Sequence, residues 1–157
     1  MRTTAWLGAV GAAGFFVAGC SGGGSAATPE QVAVNWLGAK AAYDGGAEWD
    51  LEAPPYRAGR TREQAAQERQ REQAQECPTS DASGCLFPSG IDFQATGQRP
   101  EGDCLRVFVR TREPDGRTSD GAVTVMRVDD NWRVRDWQAV LPEDELIGGA
   151  ARDCGVR

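Results

Sequence analysis

The sequence predicts an α+β domain, helices first and an antiparallel sheet after them. Three stretches carry that expectation. Thr28-Pro29-Glu30-Gln31 is a helix start, and Leu105 to Arg112 alternates apolar with polar residues. Two valine- and tryptophan-rich runs then flank Asp129-Asp130-Asn131, as strands flank a hairpin turn.

In the first helix Thr28 suits the N-cap, Pro29 the first helical position, and Gln31 the reciprocal place of a capping box. Glu30 opposes the positive end of the helix dipole. The helix is expected to run to Tyr43 and stop at Asp44-Gly45-Gly46, with Ala33, Trp36, Leu37 and Ala41 on its core face. Ala47 to Tyr56 reads as a short helical turn broken by Pro54 and Pro55. Arg60 to Glu76 is a long polar helix whose apolar residues are Ala65, Ala66 and Ala74. Glu68–Arg71 and Arg69–Glu72 stand at i,i+3. It reads as a solvated helix resting on an alanine stripe, with an interaction helix as the alternative.

Strands follow. Ile91, Phe93 and Ala95 alternate with polar residues, and Arg99 to Asp103 reads as a turn. Leu105, Val107, Val109 and Thr111 face one way; Arg106, Phe108, Arg110 and Arg112 form a basic outer face. Pro114-Asp115-Gly116 is a surface turn. A three-residue loop, Asp129-Asp130-Asn131 with Asn131 left-handed, sets Val128 against Trp132 and Met126 against Val134 on one apolar face. A two-residue loop is read as setting Met126 against Arg135, which buries charge, so the longer one is expected. Thr124 then opposes Asp136, Val123 opposes Trp137, and Trp132 is the core tryptophan while Trp137 is more exposed.

The chain of 157 residues is long enough for one domain with a modest core. Its net charge of −6, without a Lys/Arg block, argues against nucleic acid and against docking on anionic lipid. There is no histidine, which excludes His-based catalytic triads and ordinary zinc hydrolase sites. No cofactor or metal site is expected. Of the five cysteines, Cys20 stands apart from Cys77, Cys85, Cys104 and Cys154. Four cysteines permit three connectivities. The short C-x7-C spacing favours Cys77–Cys85, which leaves Cys104 with Cys154.

Residues 1–19 carry Arg2 and an apolar run from Ala5 to Ala18, too short to cross a hydrocarbon core of ~30 Å. Val17-Ala18-Gly19-Cys20 closes that run and is followed by a Gly/Ser/Ala linker, residues 20–28, with a reach of about 15 Å. The four residues resemble a bacterial lipobox, which implies a signal peptide removed before Cys20 and a diacylglycerol thioether on that cysteine. The protein is then held on the extracytoplasmic side of the cell membrane.

The domain, residues 29–157, resembles the NTF2-like superfamily, particularly its small bacterial lipoproteins. The likeness rests on the capped helix, Trp49-Asp50-Leu51, Pro55-Tyr56-Arg57 and, above all, the valine-rich strand, D/N turn and Trp132-x-Val134 with Trp137. It covers about Thr28 to Leu141, and the cysteines and Arg/Gln helix depart from the usual pattern. The resemblance implies a curved, mostly antiparallel sheet wrapped as a cone around helices. Members include isomerases, cyclases and many non-catalytic binding modules. In the ketosteroid-isomerase-like enzymes an inward carboxylate is the base, with a Tyr or protonated acid at the oxyanion. Tyr43, Asp50 and Asp136 are of those chemical types, and only Asp136 is placed by the strand pattern on the cavity side.

The missing histidine and sparse cavity acids favour a binding domain for a small molecule, a lipid or an envelope protein. The alternatives are an exported isomerase- or cyclase-like enzyme using Asp136, and a structural envelope protein without a deep pocket.

Overall fold

The computed structural model describes residues 26–77, 85 and 87–138; the expected signal segment, Cys20 and Cys154 lie outside the described residues. The first helix, α1 (Pro29–Ala41), starts as its cap dictates. The Thr28 hydroxyl accepts from the Gln31 backbone N–H at 3.3 Å, and the Gln31 side chain accepts from that of Thr28 at 2.9 Å. It stops two residues before Tyr43, which turns the chain in the left-handed region at φ 53°. Asp44-Gly45-Gly46 does more than stop α1: Asp44 caps the next helix, α2 (Gly45–Leu51), by accepting from the Ala47 N–H at 3.0 Å. A Cβ on Gly45 would lie 2.2 Å from the Ala65 carbonyl oxygen, so glycine lets α2 close on the last helix.

Pro54 and Pro55 do not merely break α2; they open a further turn, α3 (Pro54–Arg57), where proline fits the first helical positions. The polar helix α4 (Arg62–Glu76) has its own capping box, Thr61 with Gln64. Ala65 is buried and Ala66 half-buried, whereas Ala74 is exposed, so the alanine stripe packs at one end only. Arg69 pairs with Glu72 as the spacing predicts, but Glu68 pairs with Arg60 instead of Arg71.

Among the described residues, four strands form one antiparallel sheet in the order β1 (Asp92–Glu101), β2 (Cys104–Arg112), β3 (Thr118–Val128), β4 (Asn131–Gln138). The α+β expectation holds at this level. Arg99-Pro100-Glu101 is strand, not turn: β1 is an edge strand, where a proline lacking its N–H is tolerated, and Gly102-Asp103 alone makes the reversal. Helix α1 lies across the sheet and touches all four strands. Trp36, Leu37, Val32 and Ala33 bury against Val107, Val109, Val123, Val125 and Val134. Beside β4, the segment between α2 and α3 forms a parallel bridge, with the Ala53 N–H donating to the Val134 carbonyl at 2.7 Å.

The last hairpin corrects the expected register. Its loop is two residues, with Asp129 (φ 48°) and Asp130 (φ 63°) both left-handed, the conformation that matches the twist of the strands. Val128 therefore opposes Asn131 and Val125 opposes Val134. A bulge at Arg135 then shifts the pairing by one, which restores the expected partners Thr124–Asp136 and Val123–Trp137. The core face of β3 is accordingly Val123 and Val125, not Met126 and Val128. Trp132 and Trp137 are both half-buried, and it is Trp137 that stacks edge-to-face on Trp36, centroids 5.8 Å apart. Arg106 also departs from its expected place on a solvated face: it is buried and pairs with Glu101 at 3.5 Å.

Candidate functional site

Among the described residues, a charged layer and a groove are where chemically active side chains gather. The first is a charged layer between the helices. Glu48 and Glu52 stand one turn apart on and just after α2, and both are buried. Arg69 of α4 donates to both Glu48 oxygens, at 2.5 and 2.6 Å, and to Glu72. Lys40 Nζ lies 3.5 Å from Glu48 and over the rings of Trp36 and Trp137, 5.3 and 4.9 Å from their centroids. Glu52 pairs with Arg60 at 3.1 Å.

Burial sets the protonation preferences here. It pushes the Glu52 carboxyl above its ordinary range, against the pull of Arg60, and pushes the Lys40 ammonium below its own, against Glu48. Tyr56 is raised by burial and by the Glu52 and Asp136 charges. Burial also works against the Arg69 cation, but the Glu48 and Glu72 carboxylates outweigh it and hold the guanidinium charged. The fully buried Trp36 indole N–H has no acceptor in hydrogen-bond geometry, although it is near enough to Glu52 to favour its ionised form. This layer is closed by ion pairs, and none of its acids lines the grooves described next.

The second feature is a groove in two adjoining lobes of about 770 and 570 Å³, beside α1. Gly38, Ala42, Ile91 and Phe93 line both lobes. Tyr43 and the ends of α4 and of the Cys77–Cys85 disulfide wall the larger one. The Tyr43 hydroxyl donates to Glu76 at 2.8 Å, tying the turn after α1 to the end of α4. Gly38 marks the junction. It is an exposed glycine inside a helix, and a Cβ built there meets nothing within 4 Å. Neither crowding nor a left-handed backbone accounts for it, yet glycine costs about 1 kcal/mol against alanine in a helix interior. Without a side chain it leaves the groove surface bare where the lobes meet.

The expected site residues fall in separate places. Asp136 is exposed, on the strand position opposite Thr124, and accepts from the Trp137 backbone N–H at 2.8 Å. It lines neither lobe. Asp50 is exposed and paired with Arg62 at 3.1 Å. Tyr43 alone of the three borders the groove. Cys77 and Cys85 form the expected disulfide. Cys104 is also disulfide-bonded, while its expected partner Cys154 and the lipidation site Cys20 lie outside the described residues. Among the described residues no group of three or more His, Cys, Asp or Glu is placed to hold a metal, and no helix is long and apolar enough to cross a membrane. The sequence pattern missed Glu48 and Glu52, whose i,i+4 spacing around Trp49 was their only signal, and it missed Gly38.

No family model, curated protein or solved structure matches this chain.

Proposed function

We propose that the protein is an extracytoplasmic lipoprotein, held at the membrane by diacylglycerol on Cys20, whose domain binds a ligand or partner in the Gly38 groove and does not catalyse. The NTF2-like cone is part of this proposal. The observation that carries the binding reading is the groove that the described residues leave unfilled, with a glycine at its junction that neither packing nor backbone conformation requires. A purely structural envelope protein would have no use for it.

A carboxylate enzyme is the second reading, and the buried Glu52 with its raised pKa is what favours it. Against it, Glu52 is salt-bridged to Arg60 and lines neither lobe, so substrate has no route to it through the groove.

Photo-crosslinking in intact membranes tests the binding reading. A benzophenone side chain at position 38 should give defined adducts, whereas the same group at Gln67, on the exposed face of α4, should give none. Equal labelling from the two positions would remove the groove from the account.

A further inference from the structure

We propose that the groove takes an extended, basic peptide segment of a partner protein. This rests on the binding reading above and names the class of occupant. Charge is the first argument. Among the described residues no Lys or Arg side chain lines either lobe. Asp44 and Asp92 line the smaller lobe, and Glu76 stands behind Tyr43 at the larger one. Helices α1 and α4 both end at this groove, so their negative dipole ends point toward it. Lys40, in the last turn of α1, is engaged with Glu48 and the two tryptophans. The lining also includes the aromatic residues Tyr43, Phe87 and Phe93, a residue type that attracts cations. A net charge of −6 steers a basic partner from a distance.

Shape is the second argument. The lobes run along α1 from Val34 to Ala41, about 10 Å at ~1.5 Å per residue. Three residues of extended chain cover that span at ~3.3 Å each. Among the described residues nothing covers the groove, and the exposed Gln70 and Gln73 amides on its wall can both donate to and accept from peptide groups. The wall on the other side is the start of edge strand β1.

The test uses the full chain purified from membranes in a nonionic detergent. Three fluorescein-labelled nonapeptides, alternating Arg–Val, Gln–Val and Glu–Val, are titrated by fluorescence anisotropy, with Nile red as a neutral small-molecule probe. The Arg peptide should bind at least tenfold more tightly than the other two, and more weakly as salt rises. Its affinity should fall at least tenfold in Gly38→Phe, and again in Asp44→Asn with Asp92→Asn. Gly38→Gln serves as a second, milder block, and thermal melts of both position-38 variants within a few degrees of wild type confirm folding. Equal binding of all three peptides, still lost in Gly38→Phe, overturns the basic partner and leaves the groove. Nile red binding lost in Gly38→Phe with no peptide binding makes the groove a small-molecule site and overturns the peptide. If no probe responds to either block, the binding reading falls as well.

Discussion

Replacing Arg69 with methionine isolates the charged layer under the helices. The Glu48 side chain is only 5% exposed, and Arg69 supplies both of its short hydrogen bonds. Methionine keeps most of the packing volume and removes the charge. Glu48 is then left with Lys40 alone, at 3.5 Å, and burial already disfavours the charge on that lysine. Breaking one partner of a buried ion pair costs about 3–5 kcal/mol. Because Arg69 is itself 18% exposed and Lys40 remains, the lower end applies, about 3 kcal/mol. Against a total stability of roughly 5–15 kcal/mol this is large, and with a urea slope of ~1–3 kcal/mol per molar it lowers the midpoint by ~1–3 M. Urea unfolding followed by tryptophan fluorescence measures it. Adding Glu48→Gln and Lys40→Met to Arg69→Met should recover most of the loss, since neither Glu48 nor Lys40 is then left as a buried charge without its partner. An Arg69→Met variant within ~0.5 kcal/mol of wild type would mean that Glu48 is solvated and the buried layer does not exist.

Gly38→Ala should stabilise the domain by about 0.5–1 kcal/mol, because the added methyl meets open space and removes backbone freedom from the unfolded chain; a thermal melt that falls instead would mean the groove there is already filled. Glu52 has its carboxyl raised above 4.5 by burial, so its contribution is fully present below that pH and lost as pH rises through the folded value. Glu52→Gln should therefore gain on wild type in urea stability from pH 4 toward neutrality, and a difference that stays flat would contradict the burial argument. Mass spectrometry of membrane-extracted protein should find diacylglycerol on Cys20, and Cys20→Ala should release the chain; unmodified Cys20 in the membrane fraction would sink the anchor. Non-reducing peptide mapping should link Cys104 to Cys154, and a Cys20–Cys104 peptide would overturn both that pairing and the lipidation.

What the sequence made legible was local. Caps depend on residues three apart, so Thr28 with Gln31 could be read directly, and Thr61 with Gln64 has the same spacing. The last hairpin failed because a bulge is not part of any alternation. Trp132, Val134 and Trp137 are spaced by two and then three, and Arg135 absorbs the extra residue so that Val134 and Trp137 both pair with buried valines of β3. Buried charges were hidden for a different reason. Glu48, Arg69 and Arg106 belong to residue types that usually face water, and only packing between α1, α2 and α4, or across the sheet, reveals their partners. The groove was least legible, since Gly38, Cys77 and Phe93 meet only in three dimensions. Asp136 looked promising on a strand diagram because strand pairing can be read from sequence, whereas a cavity wall cannot.

Amide chemical-shift mapping of the isotopically labelled chain, titrated with the Arg–Val nonapeptide, tests the groove most directly. Shifts should concentrate on Ala41, Ala42, Tyr43, Ile91 and Phe93, with Glu52, Tyr56 and Asp136 unmoved. Shifts centred on Glu52 and Asp136 while Gly38 and its neighbours stay still would contradict the account and return the carboxylates to the centre of it.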